Sequence, residues 1–198
     1  MKGIMRGIMV ALLIFLASAS CTHNVHTASR VTTSQLKAYK TYAFLPPQDT
    51  SNSGLNNDSY LQVRKRAKKE LDKRGYILEP QKPDFLVLLH VNFQAETNSL
   101  MLPSDYAYTG PLFYEGPIDT YYYPYYSIIT DLNSVPDVDQ VEYTFGTVVI
   151  DIIDTKSQEI VWRGYAAEYE RGYEPDEIVK EVSRNVGRVL HEFPKSSM

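Results

Sequence analysis

We predict an α+β domain, in which a mostly antiparallel or mixed sheet of about four or more strands carries two helices packed on one face. The order of the local patterns carries this prediction: β-α-β, a tyrosine-rich loop, then β-β-α. Both helical patterns are amphipathic, so each needs a sheet beneath it. The chain has 198 residues, of which 43% are apolar and 22% charged. These values are typical of one globular domain.

The cysteine and charge content exclude several classes of protein. A single cysteine excludes an intramolecular disulfide and a cysteine-rich zinc site. A net charge of −4 provides no global electrostatic reason to bind nucleic acid, so we expect no nucleic-acid partner. The sequence contains no phosphate loop, no zinc signature and no Ser-His-Asp context. We therefore expect no cofactor, no metal and no catalytic residue.

Residues 1–20 have the pattern of a bacterial secretory signal. Lys2 and Arg6 form a positive start, residues 8–16 are apolar, and small residues follow up to Cys21. The small residues before Cys21 resemble the lipobox of bacterial lipoproteins, although Ser18 stands where Leu, Val or Ile is usual. The resemblance implies a lipidated Cys21 and stable anchoring in a membrane. The alternatives are a transmembrane anchor and plain secretion with a free thiol.

Residues 21–36 are predicted to be the lipidated cysteine and a flexible tether. They are polar and show no strong periodicity. Thr22 is not the aspartate that resembles an inner-membrane retention signal, so we expect the outer membrane, facing the periplasm. His23 and His26 are three residues apart, but two ligands on an irregular tether do not make a specific zinc site. The folded domain is then predicted over residues 37–198.

The first strand and helix follow the tether. Residues 39–45 are rich in aromatics and end at two prolines, which indicates a strand and then a loop. Ser59 is a candidate cap for a helix over residues 60–74, whose apolar positions recur at spacings of three and four. Gly75 is typical of a helix stop.

Seven basic side chains are predicted to cover the outer face of this helix: Arg64, Lys65, Arg66, Lys68, Lys69, Lys73 and Arg74. We interpret this face chiefly as a solvated surface with cations near the helix C-terminus. Contact with an anionic lipid or glycan is the alternative. No aromatic residues interleave with the cations, which argues against nucleic acid.

Residues 84–94 are predicted to form a strand that is central in the sheet and then emerges toward solvent. Its first half is apolar on both faces, and its second half alternates. We interpret His90 as a partly exposed strand residue. A catalytic role for His90 would need Asp84 or Glu96 as a partner within hydrogen-bond reach.

Residues 103–127 contain half of the 16 tyrosines of the chain. Their Pro and Gly content predicts a long loop rather than a helix or a regular central strand. This loop either folds back to cover one face of the sheet or presents tyrosines to a partner or a sugar. The candidate binding surface consists of Tyr106, Tyr108, Tyr114, Tyr121, Tyr122, Tyr123, Tyr125 and Tyr126.

The C-terminal third is predicted to be an antiparallel hairpin followed by a helix. Residues 141–153 form one strand, 154–159 a polar turn and 160–169 the return strand. Asp151 and Asp154 resemble a carboxylate pair, but on an extended strand they point to opposite faces, and turn roles are commoner. An apolar stripe then predicts a helix over residues 175–193.

Four ordered blocks of the chain resemble the bacterial lipoprotein family known as domain of unknown function 4136 (DUF4136). They are residues 39–46 (YKTYAFLP), residues 70–76 with 83–87, residues 146–154, and residues 160–164. The resemblance covers about residues 37–193. It implies the α+β fold and an envelope location, and it implies no activity.

The sequence therefore predicts an uncharacterised envelope lipoprotein with a non-enzymatic structural or partner-binding role. The partner would be an envelope protein or a glycan. The first alternative is a small-ligand or glycan-binding module that uses residues 103–127. The second is a hydrolase-type enzyme built around His90. The sequence does not indicate the oligomeric state.

Overall fold

The structure, a computed structural model, describes most of the domain. The described residues are 25–46, 57–91, 105–111, 125–132, 146–166 and 175–197. In chain order the elements are β1 (Val25–Ser29), α1 (Thr33–Ala38), β2 (Thr41–Phe44), α2 (Asn57–Lys73), β3 (Ile77–Leu78), β4 (Phe85–Val91), β5 (Asp105–Pro111), β6 (Tyr125–Asp131), β7 (Val148–Asp154), β8 (Ile160–Ala166) and α3 (Pro175–Glu192).

Six of the strands form one mixed sheet in the order β1-β8-β7-β4-β2-β3. The pairs β1·β8, β8·β7 and β7·β4 are antiparallel, whereas β2 is parallel to both β4 and β3. All seven residues of β4 are buried, which confirms the predicted central strand. The strand β4 stays buried as far as Val91, and residues 92–94, the rest of the predicted strand, lie outside the described residues.

The two long helices pack on one face of this sheet, which confirms the predicted α+β architecture. Alternate residues of β4 and β7 point at them and form the larger core with the helices' apolar stripes. Phe193, just after α3, lies against Phe85 and Trp162 with ring centroids 5.8 Å and 5.1 Å apart. Trp162 thus anchors β8 in the larger core.

The opposite face of the sheet is covered by the antiparallel pair β5·β6. Tyr106, Ile128 and Leu132 pack there against Leu86 and Ile153 in a second core. The predicted loop over residues 103–127 is therefore wrong at both of its ends, where strands form. The two strands tolerate Pro and Gly because, among the described residues, they pair only with each other and not with the main sheet.

The predicted tether is wrong from Val25 onward. Residues 25–29 form the edge strand β1, in which Val25 pairs with Ala166 and Ser29 with Trp162. The helix α1 follows, and its Thr32 cap forms a capping box with Gln35. An edge strand that exposes polar side chains lacks a hydrophobic alternation, which explains why the sequence pattern failed to indicate it. The folded domain therefore includes residues 25–36, which the sequence had assigned to the tether.

Helix α2 begins at Asn57, so Ser59 lies inside the helix and is not its cap. Gly75 has a φ of 85°, as expected for a helix stop. The short strand β3, which follows, was not predicted. Among the helices in the described ranges, none has the length and apolar character that a membrane-spanning helix requires.

Candidate functional site

Three charged or titratable side chains meet within the sheet: His90 on β4, Asp151 on β7 and Arg163 on β8. We call them the buried charge cluster. Arg163 donates from Nε to Asp151 Oδ1 at 2.6 Å and from Nη2 to Asp151 Oδ2 at 2.8 Å. His90 Nε2 lies 3.2 Å from Asp151 Oδ2. Asp151 and Arg163 are direct cross-strand partners, on the face of the sheet opposite the long helices.

Burial and hydrogen bonding act on the cluster in opposite directions. Complete burial of Asp151 acts to raise its pKa, but the hydrogen bonds and charge of Arg163, assisted by His90, outweigh it and hold the pKa below its ordinary value. The bidentate contact with a guanidinium is the geometry that a buried carboxylate prefers. Asp151 therefore stays ionised inside the sheet.

The chemistry of the buried charge cluster is that of a closed ion pair. Both oxygens of Asp151 accept hydrogen bonds from Arg163, and the three side chains are at most 6% exposed. A general base needs to reach a substrate proton directly or through one water molecule. The arrangement therefore positions three strands against one another and does not present a base to solvent.

The interpretation of His90 as a partly exposed residue is wrong. Its neighbours Leu89 and Val91 face the helices, and His90 faces the second side, where it is buried. Asp84, one predicted partner, instead accepts hydrogen bonds from the backbone N–H groups of Lys40 and Thr41 at 2.7 Å and 3.0 Å. Glu96, the other, lies outside the described residues.

Asp151 and Asp154 have separate roles, as their spacing predicts. Asp154 Oδ1 accepts the backbone N–H groups of Lys156 and Ser157, both at 2.8 Å, and so holds the turn between β7 and β8. Asp154 Oδ2 accepts from the hydroxyl of Tyr39 at 2.8 Å. Asp151 has no turn role: it is a buried ion-pair residue that the sequence interpretation missed.

The tyrosine-rich segment covers the sheet where the structure describes it. Tyr106 is 2% exposed and donates its hydroxyl to the carbonyl of Pro46 at 2.9 Å. Tyr108 is partly buried against the second core. Tyr125 and Tyr126 belong to β6. The tyrosines at positions 114 and 121–123 lie outside the described residues, and their binding role stays a prediction.

Burial also raises the pKa of five tyrosine hydroxyls above the ordinary value, that of Tyr60 to about 12. The five are Tyr39, Tyr42, Tyr60, Tyr76 and Tyr106. These tyrosines hold the fold together through hydroxyls that stay protonated.

The basic face of α2 is less free than its sequence suggests. Arg64 was predicted on the outer face, but it is 2% exposed and its guanidinium lies over the ring of Phe44, 5.1 Å from the centroid. Position 64 is four residues from Tyr60, so helical spacing places it on the buried face. Arg74 donates to the carbonyls of Phe193 and His191 at 2.5 Å and 2.6 Å, so it caps α3.

Three other cations of α2 form ion pairs along the helix. Arg66 and Lys73 both contact Glu70, and Lys68 contacts Asp72. These i,i+3 and i,i+4 pairs support the interpretation of a solvated helix face.

Of the N-terminal candidate residues, only His26 lies within the part of the chain that the structure describes. Cys21 and His23 lie outside the described residues. His26 lies on β1 and its ring stacks on Tyr165, with centroids 4.7 Å apart and planes at 12°. The described residues contain no grouping of three or more His, Cys, Asp or Glu side chains that would suit a metal ion.

Comparison with solved structures shows that others share this fold. A DUF4136 family protein from Bacteroides thetaiotaomicron is 13% identical, with a TM-score of 0.50, over 86% of this chain and 95% of that one. A PDZ domain protein from Parabacteroides distasonis is 18% identical, also with a TM-score of 0.50. That match covers 89% of this chain and 36% of the other, so this chain spans about a third of that protein. At these identities the likeness concerns the fold alone.

The chain was also compared with family models and with curated proteins. No curated protein matches the chain. Residues 27–195 match the family model described as Domain of unknown function (DUF4136). The match begins inside β1, which agrees with a domain that starts before residue 37. The chain therefore belongs to the DUF4136 family, whose function is unknown.

Proposed function

We propose that the chain is a lipoprotein of the bacterial envelope. In this proposal Cys21 carries the lipid anchor at the outer membrane, and the domain faces the periplasm. There the domain binds a partner and does not catalyse a reaction.

The observation that carries the proposal is the position of Cys21 relative to the signal pattern and the first strand. Cys21 follows an N-terminal pattern of basic, apolar and small residues, and β1 begins at Val25. Four Cα–Cα steps reach at most about 14 Å. A lipid on Cys21 would thus hold the domain close to the bilayer, with the Val25 end of the sheet nearest to the membrane.

The buried charge cluster argues against a hydrolase-type site at His90. A hydrolase-type site at His90 would need a carboxylate partner that is free to orient the ring, but His90 contacts the carboxylate that Arg163 already holds. Its side chain is 6% exposed. A histidine in this position contributes to packing and polar satisfaction within the sheet.

The lipid anchor is tested by metabolic labelling with an alkyne analogue of palmitate in a bacterial host. The wild-type chain should incorporate label and fractionate with the outer membrane, and Cys21→Ser should do neither. Ser18→Leu is the matched control, because it installs a residue that is usual in lipoboxes and should keep the label. Label that persists in Cys21→Ser, or that is missing from both the wild type and Ser18→Leu, would contradict the anchor.

The binding role is tested by site-specific photocrosslinking in the envelope. On β5 and β6 the residues Ala107, Thr109 and Ile129 are exposed, and Ile129 is 70% exposed. Photoreactive side chains at these positions should capture a partner. The same group at Lys65, on the exposed face of α2, is the control. Equal products at all four positions, or none, would argue against a contact surface on this hairpin.

A further inference from the structure

One end of the sheet gathers five lysines from distant parts of the sequence. We call them the basic pole: Lys37, Lys40, Lys82, Lys156 and Lys195. Lys40 is half-buried and the other four are exposed. The mature chain predicted from Cys21 onward has 18 basic and 24 acidic residues. These five lysines at one end of a chain of net negative charge form a candidate cationic surface.

Backbone and side-chain hydrogen bonds bring these lysines together. The backbone N–H of Ser197 donates to the carbonyl of Lys37 at 2.9 Å. Lys40 Nζ donates to Ser196 Oγ at 3.3 Å, so the C-terminal segment that carries Lys195 lies beside Lys37 and Lys40.

The remaining two lysines, Lys82 and Lys156, lie near Lys40 because the β7–β8 turn and the segment before β4 contact each other there. Thr41 Oγ1 donates to the carbonyl of Lys82 at 3.3 Å, next to Lys40 in the chain. Thr155 Oγ1 donates to the carbonyl of Pro83 at 2.9 Å, which brings Lys156 beside Lys82. The five lysines therefore share one end of the sheet.

Three carboxylates at this end contact groups other than the five lysine ammonium groups. Asp84 accepts two backbone N–H groups before β2, and Asp154 accepts two in the turn. Glu159 lies 3.7 Å from Arg30. Among the described residues, no ion pair within 4.0 Å involves a lysine of the basic pole. The exposed ammonium groups of the other four lysines, Lys37, Lys82, Lys156 and Lys195, are thus available to an external anion.

The basic pole lies at the end of the sheet opposite Val25. Val25 pairs with Ala166, Ala166 with Val148, and Val148 with Val91, whereas Phe85 lies beside Tyr42 at the other end. The six residue steps from Phe85 to Val91 span about 20 Å. An anchor that reaches at most about 14 Å from Val25 therefore leaves the basic pole pointing away from the membrane.

We propose that the basic pole is a docking surface for cell-wall peptidoglycan, whose peptides carry free carboxylates. The orientation in this proposal rests on the lipid anchor proposed above, but the charge complementarity does not. An anionic polymer suits spaced, exposed ammonium groups, which bind as point charges and need no pocket.

The test is cosedimentation of the full lipidated chain, purified in detergent, with purified peptidoglycan sacculi. The wild type should bind at low salt and be released as salt rises, because exposed charge contacts are screened. The double variant Lys37→Glu with Lys195→Glu should bind roughly fivefold more weakly. A second double variant, Lys82→Glu with Lys156→Glu, should lose a similar factor, which guards against misfolding of either one.

The matched control is Lys65→Glu with Lys180→Glu, which makes the same change in net charge at exposed sites on α2 and α3. It should bind within about twofold of the wild type. The proposal would be overturned if the control variant lost as much sacculus binding as the pole variants, or if neither pole variant lost any. It would also be overturned if the pole variants kept their binding to sacculi and lost binding to anionic phospholipid vesicles. Cys21→Ser should still bind sacculi, so a failed anchor and a failed docking surface give different results.

Discussion

Replacing Asp151 with Asn should remove a large part of the stability of the domain. The amide keeps the shape of the side chain but takes away the only negative charge in the buried charge cluster. The Arg163 guanidinium, 2% exposed, then stays buried without a counter-ion. Breaking one partner of a buried ion pair costs about 3–5 kcal/mol. That is a substantial share of the roughly 5–15 kcal/mol that stabilises a typical domain.

Urea denaturation followed by circular dichroism measures this loss. With an m-value of about 2 kcal/mol/M, the midpoint should fall by about 2 M. The control is Glu159→Gln, which removes an exposed ion pair with Arg30 at 3.7 Å and should change stability by less than about 0.5 kcal/mol. The double variant Asp151→Leu with Arg163→Met removes both charges, and it should recover most of the stability that Asp151→Asn loses. A loss from Asp151→Asn no larger than that of the control would refute this reasoning.

Three further outcomes follow from the described contacts. The pKa of Asp151 is lowered in the fold, so the stability that its ionised carboxylate contributes is complete above the unfolded pKa near 4. This stability is lost as the pH falls through the folded pKa. Acid denaturation curves should show the loss, and Asp151→Asn should make the free energy of unfolding depend less on pH. Of the five tyrosines with raised pKa values, four are buried and Tyr39 is half-buried. Because their folded pKa values lie above about 10, they stabilise the fold below that pH and lose this contribution above it. Absorbance at 295 nm should show them ionising only as the chain unfolds, and normal titration of all tyrosines near pH 10 would contradict this. Gly164→Ala should lower the free energy of unfolding by about 1–3 kcal/mol, because the added Cβ would meet Trp162 and lie 2.7 Å from Val189 Cγ1. Gly187→Ala is the control: its Cβ would meet the flexible end of Arg66, so the loss, measured by thermal or urea unfolding, should be smaller.

The sequence predicted the elements with strong periodicity and missed those that depend on tertiary contact. The stripe of α3 and the apolar run of β4 were sufficient because burial repeats at a fixed spacing. The strand β1 has no such repeat, since it is an edge strand with polar side chains. Its helix α1 did offer a signal, because Thr32 and Gln35 have the spacing of a capping box.

The buried charge cluster was out of reach for a different reason. His90 alternates with two apolar residues, which predicts exposure unless something covers the second face of the sheet. The covering strands β5 and β6 were themselves predicted as loop. Asp151 and Arg163 meet only because of an irregularity between Ile152 and Ile153. A regular hairpin that closes Ile153 on Ile160 would pair Asp151 with Trp162 instead.

The pairing of β1 with β8 has a consequence for the order of events during biogenesis. Val25 finds Ala166 only after some 140 residues have followed it, and Ser197 then joins Lys37. A topology that closes its first strand against its eighth has a high contact order, and such folds form slowly because distant segments must find one another. The strand β1 can therefore pair only after β8 has been synthesised, and the C-terminal segment docks beside α1 later still. For the exported lipoprotein that we propose, this order leaves β1 unpaired until β8 has been synthesised.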